Sequence, residues 1–233
     1  MSLGAFDLHI FDLDDTLINT KASYWFAQMA AVEDLFPHLE KNQRDALAPQ
    51  LKWLCNLFGS GKVKAYMEAF LRSYPDLFSV DESLIDALRH RYDVHFQSKL
   101  VCFEGVFACL DYLTRHQKQI AIVSNGMVDS QMRKLRLTGL DSCFPNSAIY
   151  ISSEYPWDLQ KPSPFLVEKA CSDRGVKPGQ AVYYGNAVVD MVAGNLAGVT
   201  TVHFNGTTSL PDDLPPIAVP DDVIQSWTDA RLF

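Results

Sequence analysis

At 233 residues the chain exceeds the usual span of one compact domain, about 100 to 200 residues, and falls short of two large ones, so one domain with an inserted module is expected. A composition of 48% hydrophobic, 21% charged and 12% aromatic residues excludes disorder, collagen and coiled coil, and supplies enough apolar material for a large core. Twenty Lys+Arg against 28 Asp+Glu leave a net charge of −8 with no long basic block, which argues against nucleic acid and an anionic membrane as partners.

Residues 6–11 alternate Phe6, Leu8 and Ile10 with Asp7, His9 and Phe11 before a polar run, so a strand ends near Asp12. His9 falls inside it and reads as a core histidine rather than a ligand. Over residues 22–96 the period turns helical, in four stripes: Trp25, Met29, Val32, Phe36; Leu47, Leu51, Leu54, Phe58; Val63, Met67, Phe70, Leu71; and Leu84, Leu88, Tyr92, Phe96. Pro37, Gly59-Ser60-Gly61 and residues 73–76 separate them, giving a four-helix insert.

Beyond Gly105, helices and short β-rich runs alternate. Strands are expected at 120–123, 148–151, 181–184 and 199–204, with helices from Val106, near 129–137, near 165–171 and at 190–197, the last capped by Gly198. That alternation predicts parallel βαβ units. The Pro- and Asp-rich tail after Phe204 is expected to wrap back as irregular chain, and Asn205-Gly206-Thr207 reads as a turn rather than a glycosylation site. Arg133-Lys134-x-Arg136, the densest basic run, reads as a solvated helix face. Five cysteines without CxxC spacing argue against a zinc site or disulfide scaffold. With no leader pattern at the start and no apolar stretch near 18 residues, a cytoplasmic protein is expected.

Open α/β sheets bind ligands beyond the carboxyl ends of their strands. Asp12, Asp14, Asp15 and Thr16 follow the first strand; Ser124, Asn125 and Gly126 close the second; Gly185, Asn186 and Asp190 follow the fourth; and Lys161 lies in the loop after the third, before Pro162-Ser163-Pro164. Carboxylates, a hydroxyl, amides and one ammonium on one edge suit phosphoryl chemistry: the carboxylates take Mg²⁺ and Lys161 balances the remaining negative charge. A carboxylate in line with phosphorus serves as nucleophile, and a second at i+2 works as acid and then base.

The run FDLDDTL at 11–17 resembles the first motif, DxDx[TV], of the haloacid dehalogenase-like (HAD) hydrolases. IAIVSNG at 120–126 resembles their second motif, KPSP at 161–164 the third and YGNAVVDMVAGNLAG at 184–198 the fourth. The resemblance implies a Rossmann-like α/β core of strand order 5-4-1-2-3 with an inserted all-α cap, as in the phosphoglycolate phosphatase-like branch. The core would comprise 1–18 and 103–233 and the four-helix cap 19–102. It further implies Asp12 as nucleophile, Asp14 as general acid/base, Ser124 and Asn125 as phosphate holders and Lys161 as anchor of phosphate and nucleophile. Mg²⁺ would be held by Asp12, Asp14, the residue at Asn186, and Asp190. The implied substrate is a phosphate monoester of a small metabolite, and the protein would act as a monomer or weak homodimer.

The family's fourth motif reads GDxxxD, and here Asn186 stands at its first acid, one negative charge fewer. Three accounts follow: a working phosphatase with a neutral ligand, a weakened or silent phosphate binder, or a relative of the metal-free 2-haloacid dehalogenases, whose SNxxD signature GNAVVD resembles. Those dehalogenases lack the aspartate that Asp14 supplies. Gly59-Ser60-Gly61-Lys62 lacks P-loop spacing, and loop position and charge make Lys41 and Lys62 candidates to read the substrate's distal group.

Overall fold

The computed structural model describes residues 2–59 and 62–233, so the Ser60-Gly61 part of the expected loop lies outside the described residues. Its contacts divide the chain into two units, Met1–Asn19 with Val101–Phe233, and Thr20–Leu100.

The first unit is built on six parallel strands in the order β3-β2-β1-β4-β5-β6. They are β1 (Leu8–Phe11), β2 (Gln119–Ser124), β3 (Ile149–Ile151), β4 (Ala181–Gly185), β5 (Thr200–Phe204) and β6 (Asp222–Ile224). The central strands are buried along nearly their whole length, as expected where helices cover both faces of a parallel sheet. Leu8, Ile10, Val123 and Tyr183 pack with Leu166, Val167 and Ala193 on one side. On the other, Phe11 and Tyr184 stack at 5.1 Å and Trp227 closes over both. β1 lies between β2 and β4, with Phe11 opposite Ile122 and Tyr184. Residue 12 therefore leaves the sheet at the middle of its carboxyl edge.

Order 5-4-1-2-3 describes the first five strands, but the tail is more than irregular wrapping. β6 extends the sheet beside β5, and Trp227, wholly buried, donates its indole N–H to the Thr16 carbonyl at 2.9 Å. A strand of three residues among prolines has too short a period to stand out in sequence.

The second unit contains α1 (Thr20–Leu35), α2 (Lys41–Phe58), α3 (Val63–Arg72) and α4 (Glu82–Lys99), and the later helices of the first unit are α5 (Val106–Arg115), α6 (Val128–Thr138), α7 (Phe165–Asp173) and α8 (Val188–Ala197). Stripes on α3 and α4 are buried at Met67, Phe70, Leu71, Leu88, Tyr92 and Phe96, while on α2 only Leu47 and Leu51 are fully buried. The stripe expected on α1 is half right. Val32 and Phe36 are buried, but Trp25 is exposed and Met29 only half-buried, and the buried face runs instead through Thr20, Ser23, Ala27, Gln28 and Ala31, mostly small side chains on a helix that packs against α4. Gln28 donates to the Tyr66 hydroxyl at 3.2 Å, satisfying its amide inside the unit. Lys41 and Lys62 are exposed at the start of α2 and just before α3. No described helix is long and apolar enough to cross a membrane.

His9 is indeed a core histidine, its ring nitrogens 3.2 Å from the Tyr184 hydroxyl and 3.3 Å from the Phe6 carbonyl. Burial lowers its pKa from 6.5 to about 4. The native state thus binds fewer protons than the unfolded chain between those values, and this contribution to stability, present above pH 6.5, is lost as pH falls toward 4. Urea unfolding should show wild type losing on the order of 3 kcal/mol relative to His9→Gln between pH 7 and pH 4. Parallel pH dependences would contradict the assignment.

Candidate active site

Four loops at the carboxyl edge supply the polar groups. The first leaves β1 at Asp12, whose backbone N–H donates to the Tyr184 carbonyl at 2.8 Å and ties it to β4. Asp15 then takes φ 58°, a left-handed conformation that aspartate tolerates better than most residues, which accounts for an acid there without chemistry. Thr16, wholly buried, donates from its hydroxyl to Asp12 Oδ2 at 3.1 Å and to Asn186 Oδ1 at 3.4 Å.

At the centre is Lys161, whose ammonium is buried. Around Nζ stand four acceptors that share its three N–H groups: Asp12 Oδ1 at 2.6 Å, Asp190 Oδ1 at 2.7 Å, the Tyr183 hydroxyl at 3.1 Å and the Val123 carbonyl at 3.3 Å. Burial acts to lower the Lys161 pKa, but the Asp12 and Asp190 carboxylates hold it well above the ordinary lysine value. Burial pushes Asp12 up to about 7 while Lys161 pulls it down. The lysine's backbone is fixed as well: its N–H donates to Asn125 Oδ1 and its carbonyl accepts from Asn125 Nδ2, both at 3.0 Å. The side chain of Asn125 is therefore a clamp between two loops, a task the phosphate-holding expectation does not contain.

Asp190 lies in the first turn of α8 (Val188–Ala197). Its Oδ2 accepts the Ala187 N–H at 3.0 Å, and Oδ1 takes Lys161 and, at 3.1 Å, the Tyr183 hydroxyl. Its two oxygens thus cap the helix and act as counter-ion to Lys161. Gly185 makes this approach possible, since a Cβ there would sit 2.3 Å from Asp190 Cβ.

The clearest correction concerns Lys134 on α6 (Val128–Thr138), which follows β2. It is no solvated residue: it is 5% exposed, and its ammonium meets both oxygens of Asp14 at 2.7 and 2.8 Å. One turn earlier the Gln131 Nε2 group has Asp14 Oδ2 and Ser124 Oγ, each at 2.8 Å, and the Asn125 carbonyl at 3.0 Å as acceptors, which share its two N–H groups. Gly126 leaves room for that amide, since a Cβ there would meet Gln131 Nε2 at 2.8 Å. Sequence reasoning missed Gln131, Lys134 and Tyr183. For the first two the available signal was spacing: positions 131 and 134 lie one turn apart on one helix face.

The structure thus joins Asp12, Lys161 and Asp190 in one ion cluster, Asp14 and Ser124 through Gln131, and Asp12 and Asn186 through Thr16. Among the described residues no three His, Cys, Asp or Glu side chains gather as a metal-binding group. The donors that converge are the carboxylate of Asp12 and the amide oxygen of Asn186, on either side of Thr16, with Asp14 two residues along. Hard oxygen donors of low total charge fit Mg²⁺, which usually takes one or two carboxylates, substrate phosphate and water.

Residues 9–204 match the family model described as haloacid dehalogenase-like hydrolase. A pyrophosphatase PpaX of Halalkalibacterium halodurans is 26% identical over 222 residues, covering 94% of this chain and 93% of that one. Among solved structures, YfnB of Bacillus subtilis, a HAD-type protein bound to magnesium, superposes with TM-score 0.68 at 22% identity over 95% of each chain. A HAD family hydrolase of Deinococcus radiodurans with bound phosphate and sodium gives 0.65 at 23% identity, covering 96% of this chain and 93% of that one.

Removing the central ammonium would leave two buried carboxylates facing each other. Lys161→Met should therefore cost about 3–5 kcal/mol in denaturant unfolding at neutral pH. A loss below about 1 kcal/mol would show that the cluster is not held together by this charge.

Proposed function

The chain belongs to the haloacid dehalogenase-like hydrolases, and from that premise we propose that it is a Mg²⁺-dependent phosphatase acting on a phosphate monoester of a small metabolite. The observation that carries this reading is the fixed carboxylate of Asp12, aimed by Lys161 at the middle of the carboxyl edge.

Asp12 attacks phosphorus, forming an aspartyl-phosphate as the ester bond breaks. Asp14 gives a proton to the departing oxygen and then takes one from the water that cleaves the aspartyl-phosphate. The Ser124 hydroxyl and the Asn125 backbone amide hold phosphoryl oxygens, and Lys161 neutralises negative charge beside the nucleophile. Asp12, the Asp14 carbonyl and Asn186 would hold Mg²⁺, which neutralises further phosphate charge when bound. Asp190 keeps Lys161 in place.

Arrangement and charge support ester hydrolysis over dehalogenation, because Asp14 is present and gripped by two side chains. The name of the PpaX relatives makes inorganic pyrophosphate a second substrate to test. The helical unit at 20–100 falls in sequence between the first and second motifs, as the family's cap would, and substrate choice is assigned to it.

A panel of 4-nitrophenyl phosphate, phosphoglycolate, sugar phosphates, nucleoside monophosphates and pyrophosphate, titrated with Mg²⁺, tests the reading. Hydrolysis of at least the aryl phosphate should rise to saturation with Mg²⁺ and vanish in Asp12→Asn. Full activity in that variant, indifference to metal, or chloride release from 2-chloropropionate instead would overturn it. Restoring the missing charge with Asn186→Asp should lower half-saturating Mg²⁺ on the order of tenfold, about 1.4 kcal/mol. An unchanged titration would show that residue 186 does not face the metal.

A further inference from the structure

Asp14 stands two residues beyond the nucleophile, on a loop, where its side chain is free to choose among rotamers unless something holds it. Two side chains of α6 do so. Lys134 spans both carboxylate oxygens, and Gln131 binds Oδ2 with the amide that also reaches Ser124 Oγ. Each is nearly or wholly buried, Gln131 at 1% and Lys134 at 5%, whereas the Asp14 side chain is 28% exposed. Two buried polar groups thus reach outward from the core to a carboxylate at the rim. Burying an ammonium and an amide is costly unless each is spent on partners, and here a large part of that bonding goes to site residues rather than to the fold.

Gln131 also sets the sense of the Ser124 hydroxyl. Because Gln131 Nε2 can only donate, the hydrogen of the neighbouring Ser124 hydroxyl is directed away from it, available to a phosphoryl oxygen. Gln131 Oε1 has no partner among the described residues, so the amide's bonding lies on the side that touches Asp14, Ser124 and Asn125.

We propose that Gln131 and Lys134 are positioning residues of the hydrolytic site, aiming the Asp14 carboxyl at the leaving-group oxygen and the Ser124 hydroxyl at the phosphoryl group. This rests on the phosphatase reading and adds two residues to it. Neither touches the reacting atoms. Lys134 acts through Asp14; Gln131 acts through Asp14 and Ser124 together. In the step they serve, Asp12 forms a bond to phosphorus while the bond from phosphorus to the ester oxygen breaks, and the Asp14 proton passes to that oxygen.

Aim matters in proportion to how badly the leaving group needs a proton. 4-Nitrophenolate departs without help, whereas phenolate, more basic and of nearly the same shape, does not. The test measures kcat/KM for phenyl phosphate and 4-nitrophenyl phosphate in wild type, Lys134→Met and Lys134→Arg, with thermal melts alongside. General acid catalysis contributes about 10²- to 10⁴-fold, so a misdirected Asp14 should lower the phenyl to 4-nitrophenyl ratio about tenfold or more in Lys134→Met. Lys134→Arg, which keeps a cation on the carboxylate, should restore most of that ratio.

A merely structural role would depress both substrates alike. Equal losses in Lys134→Met, or no loss, would therefore overturn the positioning role while leaving the phosphatase reading intact. Failure of wild type to hydrolyse either ester would bring down that reading itself, and this proposal with it. Should Lys134→Met not fold, Gln131→Met carries the same comparison, with the same ratio expected to fall.

Discussion

One ammonium, placed out of water among carboxylates, organises this site. Lys161 is tolerable there only because Asp12 and Asp190 stand 2.6 and 2.7 Å away and a hydroxyl and a carbonyl take further N–H bonds. Each partner is fixed independently: Asp12 by its backbone bond to β4, Asp190 by capping α8, and the lysine's own backbone by Asn125. Removing any one would leave a charge stranded, which is why three chain segments far apart in sequence hold one geometry. The sheet supplies the frame, since β1 between β2 and β4 brings these loop ends to one edge.

Charge accounting links the ion cluster to the departure at Asn186. Three carboxylates, Asp12, Asp14 and Asp190, face two ammonium groups, Lys161 and Lys134. The usual acid at position 186 would add a fourth negative charge beside Asp12, and an amide oxygen there leaves a donor without that charge. The site is therefore close to neutral before substrate arrives, and a phosphate ester meets less repulsion than three acids alone would exert. Weaker attraction for the proposed Mg²⁺ would be the corresponding loss. The acidic character of the whole chain, −8, thus says little about its catalytic edge.

Much of this was legible in the sequence because strand ends and chemistry coincide. The apolar runs before Asp12 and Ser124 place their residues at the sheet edge by periodicity alone, and Gly198 marks the end of α8 by its left-handed φ of 74°. What escaped has physical reasons. β6 is too short to carry a period, and the α1 face that packs adds small residues such as Ser23, Ala27 and Ala31, which a search for large apolar side chains passes over in favour of the exposed Trp25. Basic residues in a row suggest solvent, whereas Lys134 is buried against a carboxylate partner 120 positions away in sequence. Asp190 and Asn125 stand at the expected edge, but their hydrogen bonds go to Lys161 and to neighbouring backbone, which spacing alone does not reveal.

In the proposed reaction Asp12, held by Lys161, is the group that takes the phosphoryl. Acid quenching during turnover of 4-nitrophenyl phosphate, followed by peptide mass analysis, reads this directly. The account predicts a phosphoryl group on the peptide containing Asp12, acid-stable, removed by hydroxylamine and absent in Asp12→Asn. Turnover that proceeds with the phosphoryl on another residue, or with no covalent intermediate under conditions that trap acyl phosphates, would contradict it.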